Sequence, residues 1–513
     1  MSWPVGNNVI MSKPKLNTYI VDLDTYPIQP EALQLIPENM ARKYNVIPLA
    51  ISGNNLLMGM AEVDNILALE ALTSQAAMRI TPVVAPLDKI LQALDRNYKA
   101  YGEIEKQFSQ TPLSSSGKER ATVGDVSEAP VVRALELMVE EAVKKRASDV
   151  HIEPQEDRVR VRYRIDGVLH DTMSLPLSAH SPLISRLKIL ANMNIAEHRP
   201  QDGQFSAKVR GREIDIRVAT IETAYGEMGV LRILDKTFAA LTLSELGFLQ
   251  SNLDQYYQML KSSFGMIIVS GPTGSGKTTT LYASINDLDC KGRKIITVED
   301  PIEYRFKDIN QIQINPRSGL TFASGLRSIM RLDPDVILVG EIRDKETAEI
   351  AVQAALTGHL VLTSLHANDA VSSLFRLLDL GAGLFMIATA VIGIVSQRMV
   401  RRVCPHCKRL SPAPTPSQLA YNSELDESRD QFFYGAGCNS CAGTGYLGRT
   451  PVFEILTMNR EVRSALLAGS NAEQLRTKAK EAGMLSMWRD GMLKVQGGIT
   501  TPCEVLRSVF SIG

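Results

Sequence analysis

At 513 residues the chain exceeds what one hydrophobic core can organise and should divide into three or four domains. Its 44% hydrophobic and 22% charged residues are those of a globular protein, and 56 basic residues against 56 acidic ones leave no global field to draw it onto nucleic acid or anionic lipid. Met1 to Ser12 lacks the basic start and apolar run of a secretory signal, so a cytoplasmic location is expected.

In chain order, 1–101 mixes short apolar runs (Val46 to Ala50, Leu56 to Met60) with the periodic Leu67 to Leu72, which predicts a small α/β domain. Residues 102–129 lose that periodicity and gain serine, glycine and charge, the signature of a flexible linker. The segment 130–237 opens with an amphipathic helix whose apolar face carries Val131, Leu135, Met138, Val139 and Ala142. Alternating strands follow, Val159 to Ile165 and Glu213 to Val218, so this is an α+β domain whose strand arginines lie on one sheet face, for which spacing alone favours solvation over a ligand. From 238 to 400, apolar strands at Met266 to Ser270, Lys294 to Val298, Val336 to Val339 and Leu360 to Leu365 alternate with helical stretches. That is the layout of a parallel sheet flanked by helices, an α/β core. Leu380 to Gln397 is uncharged over about the length of a membrane span, but three glycines and the flanking Asp379 and Arg398 predict a buried core helix. A cysteine-bearing module (401–450) and a helical end (451–513) complete the chain.

The chemistry sits at the ends of the core strands, where open α/β sheets bind ligands. Gly271, Pro272, Thr273, Gly274, Ser275, Gly276, Lys277, Thr278 and Thr279 form a complete phosphate-binding loop between a strand and a helix. Lys277 is placed to reach the β- and γ-phosphates of ATP, and the Thr278 hydroxyl to hold Mg2+. Glu341, after the strand Val336 to Val339, is the second candidate for Mg2+ or its water. Thr297 to Glu303 crowds Glu299, Asp300 and Glu303 at another strand end; a carboxylate there can polarise the attacking water, or the acids can simply form a turn capping the next helix. His366 follows a strand and is better placed for the γ-phosphate than His359. Cys404, Cys407, Cys438 and Cys441 form two Cys-x-x-Cys pairs about 30 residues apart, which suits a structural Zn2+ better than disulfides, with His406 a bystander. Cys290 and Cys503 read as packing residues.

Together, GPTGSGKTTT, the acidic box, LDPDVILVGEIRD and LTSLHAND resemble the secretion-ATPase superfamily, above all the branch that powers type II secretion and type IV pilus assembly. Ser148 to Pro154, Arg162 to Gly167 and Arg199 to Gly203 also match that branch's second domain, so the resemblance covers nearly the whole chain. It implies that Glu303 acts on the attacking water with Glu299 and Asp300 in support, and that Arg217 and Arg232 close over the phosphates. It also implies a homohexamer recruited to the inner membrane by a platform protein and a docking protein that meets the N-terminal domain. The long N-terminal region and the tetracysteine module resemble assembly or secretion motors rather than retraction motors. Met228 stands where the family usually has a basic residue, which puts a phosphate or interface contact there in doubt. Some relatives bind cyclic di-GMP through an Arg-Leu-Gly type repeat; none precedes Tyr19, so that control is expected to be absent. A DNA-uptake pilus motor shares every motif. A nucleic-acid translocase would need a basic channel with stacking aromatics, and 6% aromatic residues at zero net charge give it no support, so no nucleic-acid partner is expected.

Overall fold

The computed structural model describes residues 9–10, 20–21, 23, 26, 28–97, 128–209, 211–234 and 241–509. By their contacts they group into two compact units: 1–235 with 404–408 and 435–447, and the remainder from 236 onward. The linker expected at 102–129 lies outside the described residues except at its last two positions, which begin a helix.

In the first unit, Val46–Ser52 and Asn55–Met60 pair antiparallel, and Asn55–Met60 runs parallel to Arg79–Val84. They belong to a five-stranded sheet whose other edge is Ile20–Val21 and Val9–Ile10. Gly53 (φ +60°) makes the tight turn, and the Asn65 side chain caps helix Ile66–Ala76 by accepting from the Ala68 amide at 3.0 Å. The second part is a six-stranded sheet in the order Val168–Pro176, Arg158–Ile165, Ala147–Pro154, Gly226–Leu234, Arg212–Thr223 and Gln201–Val209, antiparallel throughout. Alternate residues of Arg158–Ile165 (Val159, Val161, Tyr163) enter a core shared with helices Glu128–Lys144 and His180–Leu190. The Tyr163 hydroxyl donates to the Met138 carbonyl at 2.9 Å and ties helix to sheet. Asp166 and Gly167 both take positive φ, as expected of that turn.

The second unit is built on a seven-stranded sheet in the order Asn310–Gln313, Ile295–Glu299, Val336–Val339, Leu360–Leu365, Gly265–Ser270, Val391–Val403 and Tyr446–Thr457. The first six run parallel. Ile267 and Val269 enter one core with helices Gln250–Leu260 and Lys277–Asn286, while Met266 and Ile268 enter another with helices Phe322–Ile329, Lys345–Leu356 and Ala370–Asp379. Helices therefore cover both faces, and the central strands Gly265–Ser270, Val336–Val339 and Leu360–Leu365 are buried at every position, whereas the edge strand Asn310–Gln313 is polar.

One expectation is corrected. Leu380 to Gln397 is not a buried helix: a short helix, Leu384–Ala390, gives way to the 13-residue strand Val391–Val403. Val391, Ile392, Ile394 and Val395 are β-branched, and the neighbouring P-loop strand satisfies their backbone. No helix among the described residues is long and apolar enough to cross a membrane.

Candidate nucleotide site and cysteine cluster

The loop from Gly271 to Gly276 follows a wholly buried strand and opens helix Lys277–Asn286. Two of its glycines are required: Gly271 (φ +148°) would place a Cβ 2.4 Å from the Gln397 carbonyl, and Gly276 (φ +90°) is the helix N-cap. Gln397, which sequence reasoning missed, braces the loop from the adjoining strand. Its Nε2 donates to the Ser275 carbonyl at 2.6 Å, and its Oε1 accepts from Thr280 Oγ1 at 2.8 Å. The amide is almost wholly enclosed (1% exposed). Thr278 is exposed in the first turn and Thr279 half-buried.

Lys277 Nζ donates to the carbonyls of Gly271 (2.9 Å) and Pro272 (3.2 Å). Burial lowers its pKa from the usual lysine value, and the charge of Glu341 opposes that shift. Glu341 is itself paired with Arg343, and its Oε2 lies 3.8 Å from His366 Nε2. Burial, then the cations Lys277 and Arg343, depress the His366 pKa despite Glu341, so the imidazole is neutral near pH 7. The structure thus brings Lys277, Glu341 and His366 together at the ends of three neighbouring strands. His359 sits instead at a helix end, its Nδ1 2.9 Å from the Ala354 carbonyl. A cleft of about 430 Å³ lined by Pro272, His366, Asn368, Phe375 and Arg376 opens beside the loop.

The acidic box is less crowded than its sequence suggests. Glu299 turns inward (4% exposed), accepting from Thr297 Oγ1 (2.5 Å) and Gln311 Nε2 (3.2 Å) on one oxygen and from the Tyr282 hydroxyl on the other. Asp300 is exposed and Glu303 half-buried. The Glu303 amide donates to the same Tyr282 oxygen at 3.2 Å. No helix starts between 301 and 309, so these acids are not helix caps.

In the six-stranded sheet Arg217 and Arg232 stand directly opposite one another on adjacent strands. Arg232, 60% exposed, donates from Nε to Asp149 Oδ1 at 3.0 Å, and Asp149 also faces Arg164 at 3.6 Å. Arg160 forks onto Asp171 and Arg162 meets Glu153 at 2.6 Å, so these strand arginines are ion-paired. Met228 lies half-buried opposite Ile221.

The four cysteines are buried and reduced. Their sulfurs lie within 4.8 Å of one another, with Cys404–Cys438, Cys407–Cys441 and Cys438–Cys441 at 3.8, 3.9 and 3.7 Å. A tetrahedron with Zn–S bonds of about 2.3 Å has edges of about 3.8 Å, whereas a disulfide needs about 2.0 Å. The amides of Cys438 and Gly445 donate to Cys441 Sγ at 3.2 and 3.3 Å. The set therefore fits zinc; His406 is exposed and outside it. Cys290 and Cys503 are half-buried, away from this set.

Residues 125–507 match the family model described as Type II/IV secretion system protein, and 16–103 match the MshEN domain. The chain is 40% identical over 490 residues to the type II secretion system protein E of Xanthomonas campestris pv. campestris, covering 94% of this chain and 86% of that one. It is 39% identical over 495 residues to the type IV pilus assembly ATPase PilB of Thermus thermophilus, covering 95% of this chain but 55% of that protein's length. The solved Legionella pneumophila ATPase DotB shares the fold, with a TM-score of 0.55 and 22% identity over 76% of this chain and 96% of its own. The MshEN match also bears on an earlier expectation: that domain type is related to cyclic di-GMP binding, so a missing Arg-Leu-Gly repeat before Tyr19 is no ground for excluding the ligand.

Proposed function

Because the chain belongs to the family of type II/IV secretion system proteins and is one of its ATPases, we propose that it is a Mg-dependent hexameric motor. Its work is the assembly of a type IV pilus or a type II secretion pseudopilus, done by driving an inner-membrane platform protein from the cytoplasmic side. The observation that carries this reading is the meeting of Lys277, Glu341 and His366 at neighbouring ends of one parallel sheet, with the acidic loop fastened to the P-loop helix. In this reading the P-loop amides and Lys277 bind the phosphates of ATP, and Glu303 directs the attacking water while Glu299 holds the acidic loop in place. Thr278 and Glu341 would hold Mg2+, which would supply charge neutralisation on the phosphates. His366, beside Glu341, offers a hydrogen bond toward the γ-phosphate. Arg217 and Arg232 contribute positive charge to the phosphoryl group, which in other nucleotide hydrolases is worth about 10³–10⁵ in rate. Zinc on the four cysteines would be structural, tying 404–407 to 438–441, while the segment between the pairs packs Tyr421 and Phe432 into an apolar cluster with Met492, Val495 and Val505.

The fibre is identified by replacing the chromosomal gene with the Glu303→Gln variant and assaying surface pili and secreted proteins in the same cultures. Lost pili with intact secretion assign a pilus motor, and secreted enzymes retained in the cell with intact pili assign type II secretion. Undiminished ATP turnover by both purified Lys277→Ala and Glu303→Gln would refute the mechanism.

A further inference from the structure

We propose that Tyr282 is a positioning residue of the ATPase centre, its hydroxyl clamping the acidic loop to the P-loop helix by donating to the Glu299 carboxylate and accepting the Glu303 amide. The inference rests on the reading of Glu303 given above and extends it to a residue outside every motif. Tyr282 lies five residues after Lys277 on the same helix, about 7.5 Å along its axis. A displacement of the helix that grips phosphate is therefore passed directly to the loop that directs water.

The ring and the hydroxyl do separate jobs. The ring packs edge-on against Tyr304 (centroids 5.9 Å, 68°) and Phe306 (5.0 Å, 75°), contacts that phenylalanine reproduces. The hydroxyl is the group that phenylalanine lacks, and it reaches both ends of the loop, Glu299 where the strand stops and Glu303 four residues on. Burial and then the Glu299 charge raise the phenol's pKa well above the ordinary value, so Tyr282 stays protonated and remains a donor at any working pH. Gln311 holds the loop from its other side, donating to Glu299 Oε1 (3.2 Å) and to the Tyr304 carbonyl (2.9 Å). With Gln311 in place, loss of the hydroxyl loosens the loop without releasing it. The expected defect is one of alignment in the reacting complex and not of ATP binding.

The test is steady-state ATP turnover of the full chain carrying Tyr282→Phe, with Mg2+, across ATP concentrations. We expect kcat to fall about ten- to a hundredfold, the effect of removing one hydrogen bond to a charged group, with the KM for ATP within about twofold. A kcat within about twofold of the parent overturns the proposal. So does a fall in kcat accompanied by a lower melting temperature and a KM for ATP raised in proportion, which is what mere core damage produces. A cycle with Glu299→Gln adds an independent check: if the two residues act through one another the double variant is no slower than the worse single one, and multiplicative losses overturn the proposal. Glu303→Gln separates the two levels of argument. If it turns over at the parental rate, the reading of the acidic box fails; if it is inactive while Tyr282→Phe is normal, only this inference fails.

Discussion

Gln397→Leu keeps the shape of a buried side chain and removes the amide that joins Ser275 to Thr280. Ser275 and Thr280 are 3% and 1% exposed, so water does not replace the lost partners. Leaving one buried acceptor and one buried hydroxyl without Gln397 costs about 1–3 kcal/mol each, or about 2–6 kcal/mol together. Part of this lowers global stability and part releases the loop from the conformation that cradles phosphate. If about 2 kcal/mol falls on the loop, the affinity for ATP drops roughly thirtyfold, since about 1.4 kcal/mol is a factor of ten. Equilibrium titration with a fluorescent ATP analogue, beside thermal melts of the same preparation, separates the two shares. A folded Gln397→Leu protein that binds nucleotide within about twofold of the parent would show that the loop holds its shape unaided, and the bracing argument would fall.

Three further outcomes are expected. Asp490→Ala strands the Lys494 ammonium, which is 1% exposed and donates to Asp490 Oδ2 and the Pro451 carbonyl at 2.6 Å each; a loss of about 3–5 kcal/mol in urea unfolding is expected, and the double variant Asp490→Leu/Lys494→Met should lose clearly less. Glu504 is pushed up by burial, but Arg507 and Arg401 overcome this and leave its folded pKa below the usual glutamate value. Its contribution is therefore present above the unfolded pKa of about 4.5 and disappears as pH falls through the folded value, so the stability gap between the parent and Glu504→Gln should close on acidification; a gap that widens on acidification contradicts the assignment. Cys404→Ser removes one of four thiolates, and bound zinc measured by atomic emission should fall from about one per chain toward zero, with local unfolding near 404–447 seen by hydrogen exchange.

The strands Val336–Val339 and Leu360–Leu365 and the P-loop helix were legible because their signals are local: four to six apolar residues, then glycine, acid or histidine. The site residues that needed structure are those whose partners are distant in sequence. Gln397 lies 122 residues from Ser275, and its only trace in the sequence is a polar residue ending an apolar run. Tyr282 reads as a core aromatic on an amphipathic helix, and its hydroxyl acquires meaning only when the acidic loop 17 residues on folds over it. Leu380 to Gln397 misled for a related reason. A strand buried on both faces and a buried helix share one apolar composition, and the choice is made by the neighbouring strand that supplies hydrogen bonds. Glu299 pointed to chemistry by its neighbours, yet strand alternation turns its side chain into the interior.

The segregation of odd and even residues of Gly265–Ser270 into two cores has a consequence for how this strand tolerates change. Exchanges among isoleucine, valine and methionine alter volume slightly and leave each side chain in its own compartment. Losing or gaining one residue is another matter, because a period of two sends every downstream side chain to the opposite face. The shift would also pull Gly271 off the one spot where the Gln397 carbonyl leaves no room for a Cβ. The strand works as a ruler for the phosphate loop, free in composition and fixed in length.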